Sequence, residues 1–222
     1  MRTLEARGNR PAVVADEAAA VVRQGGVLIF PTDTVYGIGC DPMRPDAVER
    51  IYALKNRPRG KPLSLHFAST AELLEYAPGS ALVAAAARAF LPGPLTVIVA
   101  RPNFVGANVT AGLPSLGLRV PDHALCRAIL ERTGPLAATS ANVSGLPAFT
   151  GEGSSAGLPP ADLWIDDGPT PLGAESTIID ITGAMPRLVR EGAISVTMLE
   201  QVLGPIEPLD SQPASGDRAG RP

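Results

Sequence analysis

Short apolar runs alternate along this chain with longer segments whose apolar residues recur at helical spacing. The short runs, rich in aliphatic and β-branched residues, predict strands at 27–30, 63–67, 95–100, 116–121, 135–138 and 174–181, with a further short segment at 187–195. The helical spacing predicts helices at 11–24, 45–54, 70–76, 80–90, 123–133 and 195–203. Because the late strands are joined by loops, the pattern indicates the α/β class with a mixed sheet.

The distribution of apolar residues also predicts the domain organisation. The pattern fits one folded domain over residues 1–204, followed by residues 205–222, whose Pro, Ser, Asp and Gly content predicts a disordered polar tail. Residues 146–160 are rich in Gly, Ser and Pro, and a loop of this length predicts either a mobile lid or disorder. Asp122 is the expected N-cap of the helix at 123–133.

The net charge, the cysteines and the lengths of the apolar stretches limit the classes of function that this protein can have. The formal net charge is −3, so any contact with a nucleotide or a nucleic acid requires a local basic patch. The two cysteines, Cys40 and Cys126, form neither a disulfide framework nor a zinc motif. No apolar stretch approaches the length of a membrane span, and the N-terminus lacks an apolar leader, so we expect a soluble, cytoplasmic protein with no membrane contact.

A basic loop, KNRPRGK at residues 55–61, carries Lys55, Arg57, Arg59 and Lys61. Lys55 and Lys61 are the only lysines of the chain, whereas all of its other basic residues are arginines. An ammonium group suits a single phosphate oxygen and a guanidinium suits two, so the combination suits a polyphosphate. A loop that is simply solvated is the alternative, but we favour anion binding.

Polar side chains gather where the predicted strands end. Hydroxyl, amide and cationic groups follow several strands, at Thr32–Thr34, at Ser140 with Asn142, at Ser176 with Thr177, and at Arg190. The chain has no P-loop, and its two histidines are too far apart in sequence for a zinc centre. Such a site suits phosphoryl or nucleotidyl transfer, and it would equally suit passive binding of a nucleotide or RNA. The segment 139–145 taken alone is more typical of a turn.

Several motifs occur together and in a characteristic order: PTDTVYGIG, KNRPRGKPLSLH, LPGPLT, LRVP, SANVSG, ESTIID and RLVREGAIS. In order and spacing they resemble the YrdC-like threonylcarbamoyl-AMP synthases, over residues from about 26 to about 203. The resemblance implies an open, twisted mixed sheet flanked by helices, with a concave basic face. It also implies a nucleotidyltransferase in its short form, without the additional C-terminal domain that some members carry.

The implied reaction joins L-threonine, bicarbonate or CO₂, and ATP into L-threonylcarbamoyl-adenylate and pyrophosphate. Mg²⁺ enters with ATP, and no protein ligands for a metal are implied. A separate threonylcarbamoyl-transferase complex then modifies the adenosine next to the tRNA anticodon, and a weak direct contact with tRNA is also compatible with the basic face. The strongest alternative from another class is a non-catalytic binding module for structured RNA.

The resemblance implies roles for individual residues by motif position. Lys55 and Arg57 correspond to the catalytic cations, and we expect substitution of either to spare the fold. The residues implied to bind L-threonine are Thr34, His66, Arg119, Ser140 and Ser176, and those implied to bind ATP are Arg57, Lys61, Ser115, Asn142, Thr150 and Arg190. His66 could equally be a core histidine, and Asp33 could be a turn former or a metal ligand. Arg119 in an apolar strand is expected to need an anion, because a buried guanidinium is otherwise costly.

Overall fold

The computed structural model of the protein describes residues 1–209, so residues 210–222 of the predicted tail lie outside the described part. Within residues 1–209, ten strands and six helices follow one another, with a single 3₁₀ turn at Ser155–Gly157. The strands are β1 (Arg2–Glu5), β2 (Leu28–Phe30), β3 (Gly37–Cys40), β4 (Ser64–His66), β5 (Leu95–Ala100), β6 (Ser115–Arg119), β7 (Leu136–Ser140), β8 (Leu163–Asp166), β9 (Thr177–Asp180) and β10 (Arg187–Arg190). The helices are α1 (Pro11–Arg23), α2 (Pro45–Lys55), α3 (Thr70–Glu75), α4 (Ala81–Phe90), α5 (Ala124–Thr133) and α6 (Val196–Leu203).

All strands join one sheet in the order β1-β8-β2-β3-β7-β4-β6-β5-β9-β10. Four neighbouring pairs run parallel, namely β1 with β8, β2 with β8, β4 with β6 and β5 with β9. The remaining pairs, including β3 with β7 and β5 with β6, run antiparallel. The predicted α/β class with an open, mixed sheet is therefore confirmed.

The sequence pattern missed three strands, β1, β3 and β8. Of these, β3 lies in the middle of the sheet although two of its four residues are glycines, which form strands poorly. A Cβ atom at Gly37 would lie only 3.0 Å from the ring of Phe30, so the close packing of β2 against β3 requires glycine here. Gly37 and Gly39 thus serve strand packing, and they do not belong to a dinucleotide-binding motif.

Helices cover the two faces of the sheet unequally. On one face a large apolar core includes Leu65, Leu118 and Ile179 from the strands and packs against helices α2, α4 and α6. On the other face a smaller core joins α1 and α5 to strands that include β2 and β8. Because successive strand residues point to opposite faces, Ser64, His66 and Arg119 lie on this second face, beyond the cover of α1 and α5. This part of the sheet is therefore left open by the two helices.

The helix starts mostly follow local signals. Ser69, Ser80 and Ser195 each accept a hydrogen bond from a backbone N–H in the first turn of the helix that follows. The prediction for α5 was wrong, because His123, not Asp122, is the N-cap: its Nδ1 accepts from the N–H of Cys126 at 3.4 Å.

The folded part extends past the predicted boundary at residue 204. Ile206 is 8% exposed and packs in the larger core. Glu207 accepts a hydrogen bond from the N–H of Leu188 and donates to the carbonyl of Pro186. The predicted tail therefore began too early, because it includes residues that pair with the edge strand β10. Within residues 1–209, none of the helices combines the length and the apolar character needed to cross a lipid bilayer.

Candidate active site

The uncovered part of the sheet carries a cavity of about 560 Å³. Its wall includes most of the residues that the sequence singled out: Thr34, Arg57, Lys61, His66, Ser115, Arg119, Ser140, Ser176 and Arg190. These residues come from segments far apart in sequence, and strand pairing brings them together. In the register of β4 and β6, for example, His66 lies opposite Arg119 and Ser64 lies opposite Gly117.

The floor of the cavity is built from small residues. Gly117 lies between Ser64 and Thr96, and a Cβ atom at this position would be 2.7 Å from Ser64 Oγ. Gly37, Ala138 and Gly117 all line the cavity with little or no side chain. A ligand can therefore approach the backbone of the sheet closely.

Arg119 has a counterion within the protein. Its Nη2 donates to Asp33 Oδ1 at 2.6 Å, and both side chains are only 5% exposed. Asp33 is thus the anion that Arg119 was expected to need, and its role goes beyond that of a turn former. Asp33 Oδ2 is buried without a hydrogen-bond partner among the described residues. One side of the ion pair thus remains unsatisfied next to the cavity.

His66 lines the cavity as a neutral side chain. Burial, and after it the charge of Arg119, lowers the pKa of His66 to about 3. Its Nδ1 is buried and has no hydrogen-bond partner in the described chain, while its ring meets Phe30 edge-on at a centroid distance of 6.2 Å. His66 is therefore a neutral hydrogen-bonding group at the cavity wall.

The basic loop forms a rigid wall of the cavity. Arg57 Nε donates to the carbonyl of Lys61 at 3.0 Å, and its Nη2 donates to the carbonyl of Pro62 at 2.8 Å. The hydroxyl of Tyr52 donates to the same Lys61 carbonyl at 2.9 Å. Arg59 forms an ion pair with Glu49 instead, and it does not line the cavity. The loop therefore directs Arg57 and Lys61 to the cavity and Arg59 away from it.

Arg190 lines the cavity and is held by the two residues that precede β9. Its Nε and Nη2 donate to the carbonyl of Ser176 at 3.1 and 2.8 Å, and its Nη1 donates to Glu175 at 2.8 Å. Ser176 Oγ shares a hydrogen bond of 2.9 Å with Thr96 Oγ1. Sequence reasoning missed Thr96 and Glu175. Thr96 could have been singled out from the sequence, because it is a polar residue inside the apolar run of β5.

Three of the predicted site residues do not line the cavity. Lys55 is 1% exposed, and its ammonium donates to the carbonyl of Ser140 and to the carbonyl and side chain of Asn142. Asn142 uses its side chain within the turn, donating to the carbonyls of Val143 and Leu146. The alternative interpretation of residues 139–145 as a simple turn therefore fits Asn142. Because Lys55 is the donor to the carbonyl of Asn142, the structure favours an effect of Lys55 substitution on the local structure of this turn.

Thr150, the third of these residues, belongs to a segment that packs on the protein. Its carbonyl accepts from the N–H of Thr170 at 2.7 Å. The ring of the preceding Phe149 contacts Tyr36 at 5.2 Å and Trp164 at 6.0 Å between centroids. Leu158 is also buried, so residues 146–160 are not disordered throughout. The aromatic ring of Phe149 fixes the position of Thr150 away from the cavity wall.

The cavity brings together three kinds of chemical group: cations, hydroxyl groups and a neutral imidazole. Cations on the basic loop and on β10 face a floor of hydroxyl groups, a neutral histidine and a buried Arg–Asp pair. Such an arrangement suits an anionic ligand with several charged groups, because guanidinium and ammonium groups neutralise phosphates while hydroxyls orient smaller polar groups. The fold and site therefore define an α/β protein with an anion-binding cavity on the open face of its sheet.

Comparisons with known proteins identify the family. The family model Sua5_yciO_yrdC, described as "Telomere recombination", matches residues 20–192. The chain is 38% identical over 201 residues to the threonylcarbamoyl-AMP synthase of Bacillus subtilis, covering 86% of this chain and 56% of that protein. It is also 38% identical over 199 residues to the synthase of the same name from Pyrococcus abyssi, covering 85% of this chain and 57% of that protein. The chain belongs to the Sua5/YciO/YrdC family.

A solved structure supports the same relationship. The crystal structure of Pyrococcus abyssi Sua5 complexed with L-threonine superposes with a TM-score of 0.85 at 34% identity. The match covers 94% of this chain and 62% of that one. This chain thus spans a little over half the length of the two synthases, and it shares its fold with the part that it matches.

Proposed function

We propose that this protein is an L-threonylcarbamoyl-adenylate synthase that uses L-threonine, bicarbonate or CO₂, and ATP. The observation that carries the proposal is the single cavity in which Arg57 and Lys61 on one wall face Arg119, His66 and Ser140 on the sheet. The names of the two relatives and the L-threonine bound to Pyrococcus abyssi Sua5 support this choice of substrate.

L-threonine is proposed to bind on the floor of the cavity. Its carboxylate is a suitable partner for Arg119, whose charge is shared with Asp33 at 2.6 Å. The unpartnered Nδ1 of His66 and the hydroxyls of Thr34, Ser140 and Ser176 are available for its polar groups. Since His66 is neutral, it contributes a hydrogen bond and not a charge.

ATP is proposed to bind with its phosphates against the basic loop. Arg57, Lys61 and Arg190 line the cavity and supply positive charge, and Ser115 lies in the same wall. Mg²⁺ is expected to enter as the MgATP complex. Among residues 1–209, no three His, Cys, Asp or Glu residues cluster in a way that could hold a metal ion. We expect the ion to be held chiefly by phosphate oxygens and water.

The proposed reaction has two steps. First, the amine of L-threonine takes up CO₂ and releases a proton, or takes up bicarbonate and releases water, which gives the carbamate. A carbamate oxygen then attacks the α-phosphorus of ATP while the bond to the bridging oxygen of the β-phosphate breaks, and pyrophosphate leaves. Arg57 and Lys61 neutralise the charge that develops on the phosphates, so positioning and electrostatics supply most of the rate and no covalent enzyme intermediate forms.

The product determines the partners that we propose. L-threonylcarbamoyl-adenylate is a mixed anhydride that water hydrolyses, so it has to be used by an acceptor soon after its release. We propose that a threonylcarbamoyl-transferase complex acting on tRNA in the cytoplasm consumes it, and that contact of this chain with tRNA itself is weak.

Pyrophosphate release tests the proposal. The protein is incubated with MgATP, bicarbonate and each amino acid in turn, and pyrophosphate is followed with time. We expect release that requires L-threonine and bicarbonate together. Release without L-threonine contradicts the proposal, and salt-sensitive RNA binding without any pyrophosphate release would favour the binding module instead.

Two arginines of the same loop provide a matched pair of variants. Arg57 lines the cavity, whereas Arg59 pairs with Glu49 outside it. We expect Arg57→Ala to lower kcat/KM for pyrophosphate release by about 10²-fold or more, because it removes charge at the phosphates, and Arg59→Ala to change it by less than about 3-fold. Equal losses in both variants would show that the loop acts only through its overall charge.

A further inference from the structure

The ammonium group of Lys55 is fully engaged within the protein. Lys55 is the last residue of α2, and its side chain is 1% exposed. Its Nζ donates to the carbonyl of Ser140, to the carbonyl of Asn142 at 2.6 Å and to Asn142 Oδ1 at 3.4 Å. An ammonium group has three N–H donors, and these three acceptors use all of them. No donor remains for a phosphate oxygen.

Lys55 is tied to the segment that follows β7 by its backbone as well as by its side chain. The N–H of Ser144 donates to the carbonyl of Lys55 at 2.8 Å. We call residues 140–144 the Ser140 turn. Within this turn Ser140 Oγ donates at 2.6 Å to Asn142 Oδ1, the same oxygen that Lys55 approaches. The C-terminal end of α2 and the Ser140 turn therefore form one hydrogen-bonded unit.

This unit controls a residue of the cavity. Ser140 lines the cavity, whereas Lys55 and Asn142 do not. Without the ammonium group, the part-buried carbonyl of Asn142 would lose its donor, at a cost of about 1–3 kcal/mol. The carbonyl of Ser140 and Asn142 Oδ1 would each keep one donor, the N–H of Asn142 and the hydroxyl of Ser140. The turn would then rearrange to reach water, and the hydroxyl of Ser140 would lose its orientation.

We infer that Lys55 is a positioning residue, which holds the Ser140 turn so that Ser140 faces the ligand, and that it does not contact the nucleotide. The part of this inference that names L-threonine as the ligand of Ser140 rests on the proposed function. Burial, followed by the charge of Arg57, lowers the pKa of Lys55 to about 7, while Glu175 opposes the shift. The three oxygen acceptors favour the charged form of the side chain.

Ligand affinities distinguish a positioning role from a direct phosphate contact. Lys55→Met removes the charge at nearly constant volume, and Arg57→Ala is the comparison for a residue that lines the cavity. By isothermal titration calorimetry we expect Lys55→Met to weaken L-threonine binding by about 10-fold while ATP affinity stays within about 3-fold of the unmodified protein. Arg57→Ala should show the reverse pattern.

Hydrogen exchange gives a readout that needs no ligand. We expect amides of residues 140–146 to exchange at least about 10-fold faster in Lys55→Met, because the bonds that hold the turn are lost. Lys55→Gln, which keeps an uncharged donor group, should accelerate the same amides to a smaller extent and serves if Lys55→Met does not fold. Addition of n-propylammonium to Lys55→Ala should restore slow exchange and L-threonine affinity, whereas it should leave Arg59→Ala unchanged.

Two outcomes would overturn the inference. One is a loss of ATP affinity in Lys55→Met as large as that in Arg57→Ala, and the other is unchanged exchange of residues 140–146 in both Lys55→Met and Lys55→Gln. If the unmodified protein binds neither L-threonine nor ATP, the proposed function fails, but the exchange experiment still decides whether Lys55 holds the turn.

Discussion

The buried pair of Asp33 and Arg119 allows a quantitative test of the site. Asp33→Ala leaves the guanidinium of Arg119 without its partner at 2.6 Å, in a place where both side chains are 5% exposed. Removing one member of a buried pair costs about 3–5 kcal/mol, because the remaining charge stays in a poorly hydrated position. For a chain of this size, 1 kcal/mol corresponds to about 2–4 °C, so we expect the melting temperature to fall by roughly 6–20 °C.

An exposed ion pair provides the control for this experiment. Arg44 and Asp46 lie 3.3 Å apart with side chains that are 40% and 66% exposed. Asp46→Ala should leave the melting temperature nearly unchanged, because water screens the pair. Both variants are compared with the unmodified protein by urea and thermal denaturation at pH 7, without ligands.

A double variant separates the lost charge pair from other effects of Asp33. In Asp33→Ala combined with Arg119→Met, the uncompensated charge is removed, and we expect more than half of the lost stability to return. If Asp33→Ala is no more destabilising than Asp46→Ala, then water in the cavity already hydrates Arg119. If the double variant is as unstable as the single one, the cost has a source other than the ion pair. Either result would refute the reasoning.

Two further predictions concern His66 and the C-terminal boundary. The pKa of His66 is about 3, below its ordinary value near 6.5, so acid protonates the unfolded chain first and stability falls as the pH falls from about 6.5 towards 3. Between pH 7 and pH 5, urea denaturation should show that His66→Gln loses roughly 2 kcal/mol less stability than the unmodified protein, and equal losses would contradict a buried neutral histidine. A chain that ends at Gly204 should be about 2–4 kcal/mol less stable than one that ends at Leu209, because Ile206 is buried and Glu207 pairs with β10. Equal denaturation midpoints for the two truncated chains would show that residues 205–209 contribute nothing.

Much of the secondary structure could be predicted because its signals are local. A capping serine, a helical repeat of apolar residues or a run such as that of β5 acts over a few neighbouring residues, and these elements were located correctly. Strand β3 could not be predicted in this way. Its glycines are suited to a strand only because the ring of Phe30 on β2 lies against them.

The residues of the site show the same division. The sequence alone determined which chemical groups the site contains, namely the cations of the loop at 55–61 and the hydroxyl groups where strands end. Only the tertiary structure decided which of these groups face the cavity. Arg57 lines it, whereas Lys55, two residues earlier, turns to the carbonyls after β7, and Arg119 meets Asp33 across the fold. The physical reason is that burial and hydrogen-bond partners depend on strand register and helix cover, which join residues far apart in the chain.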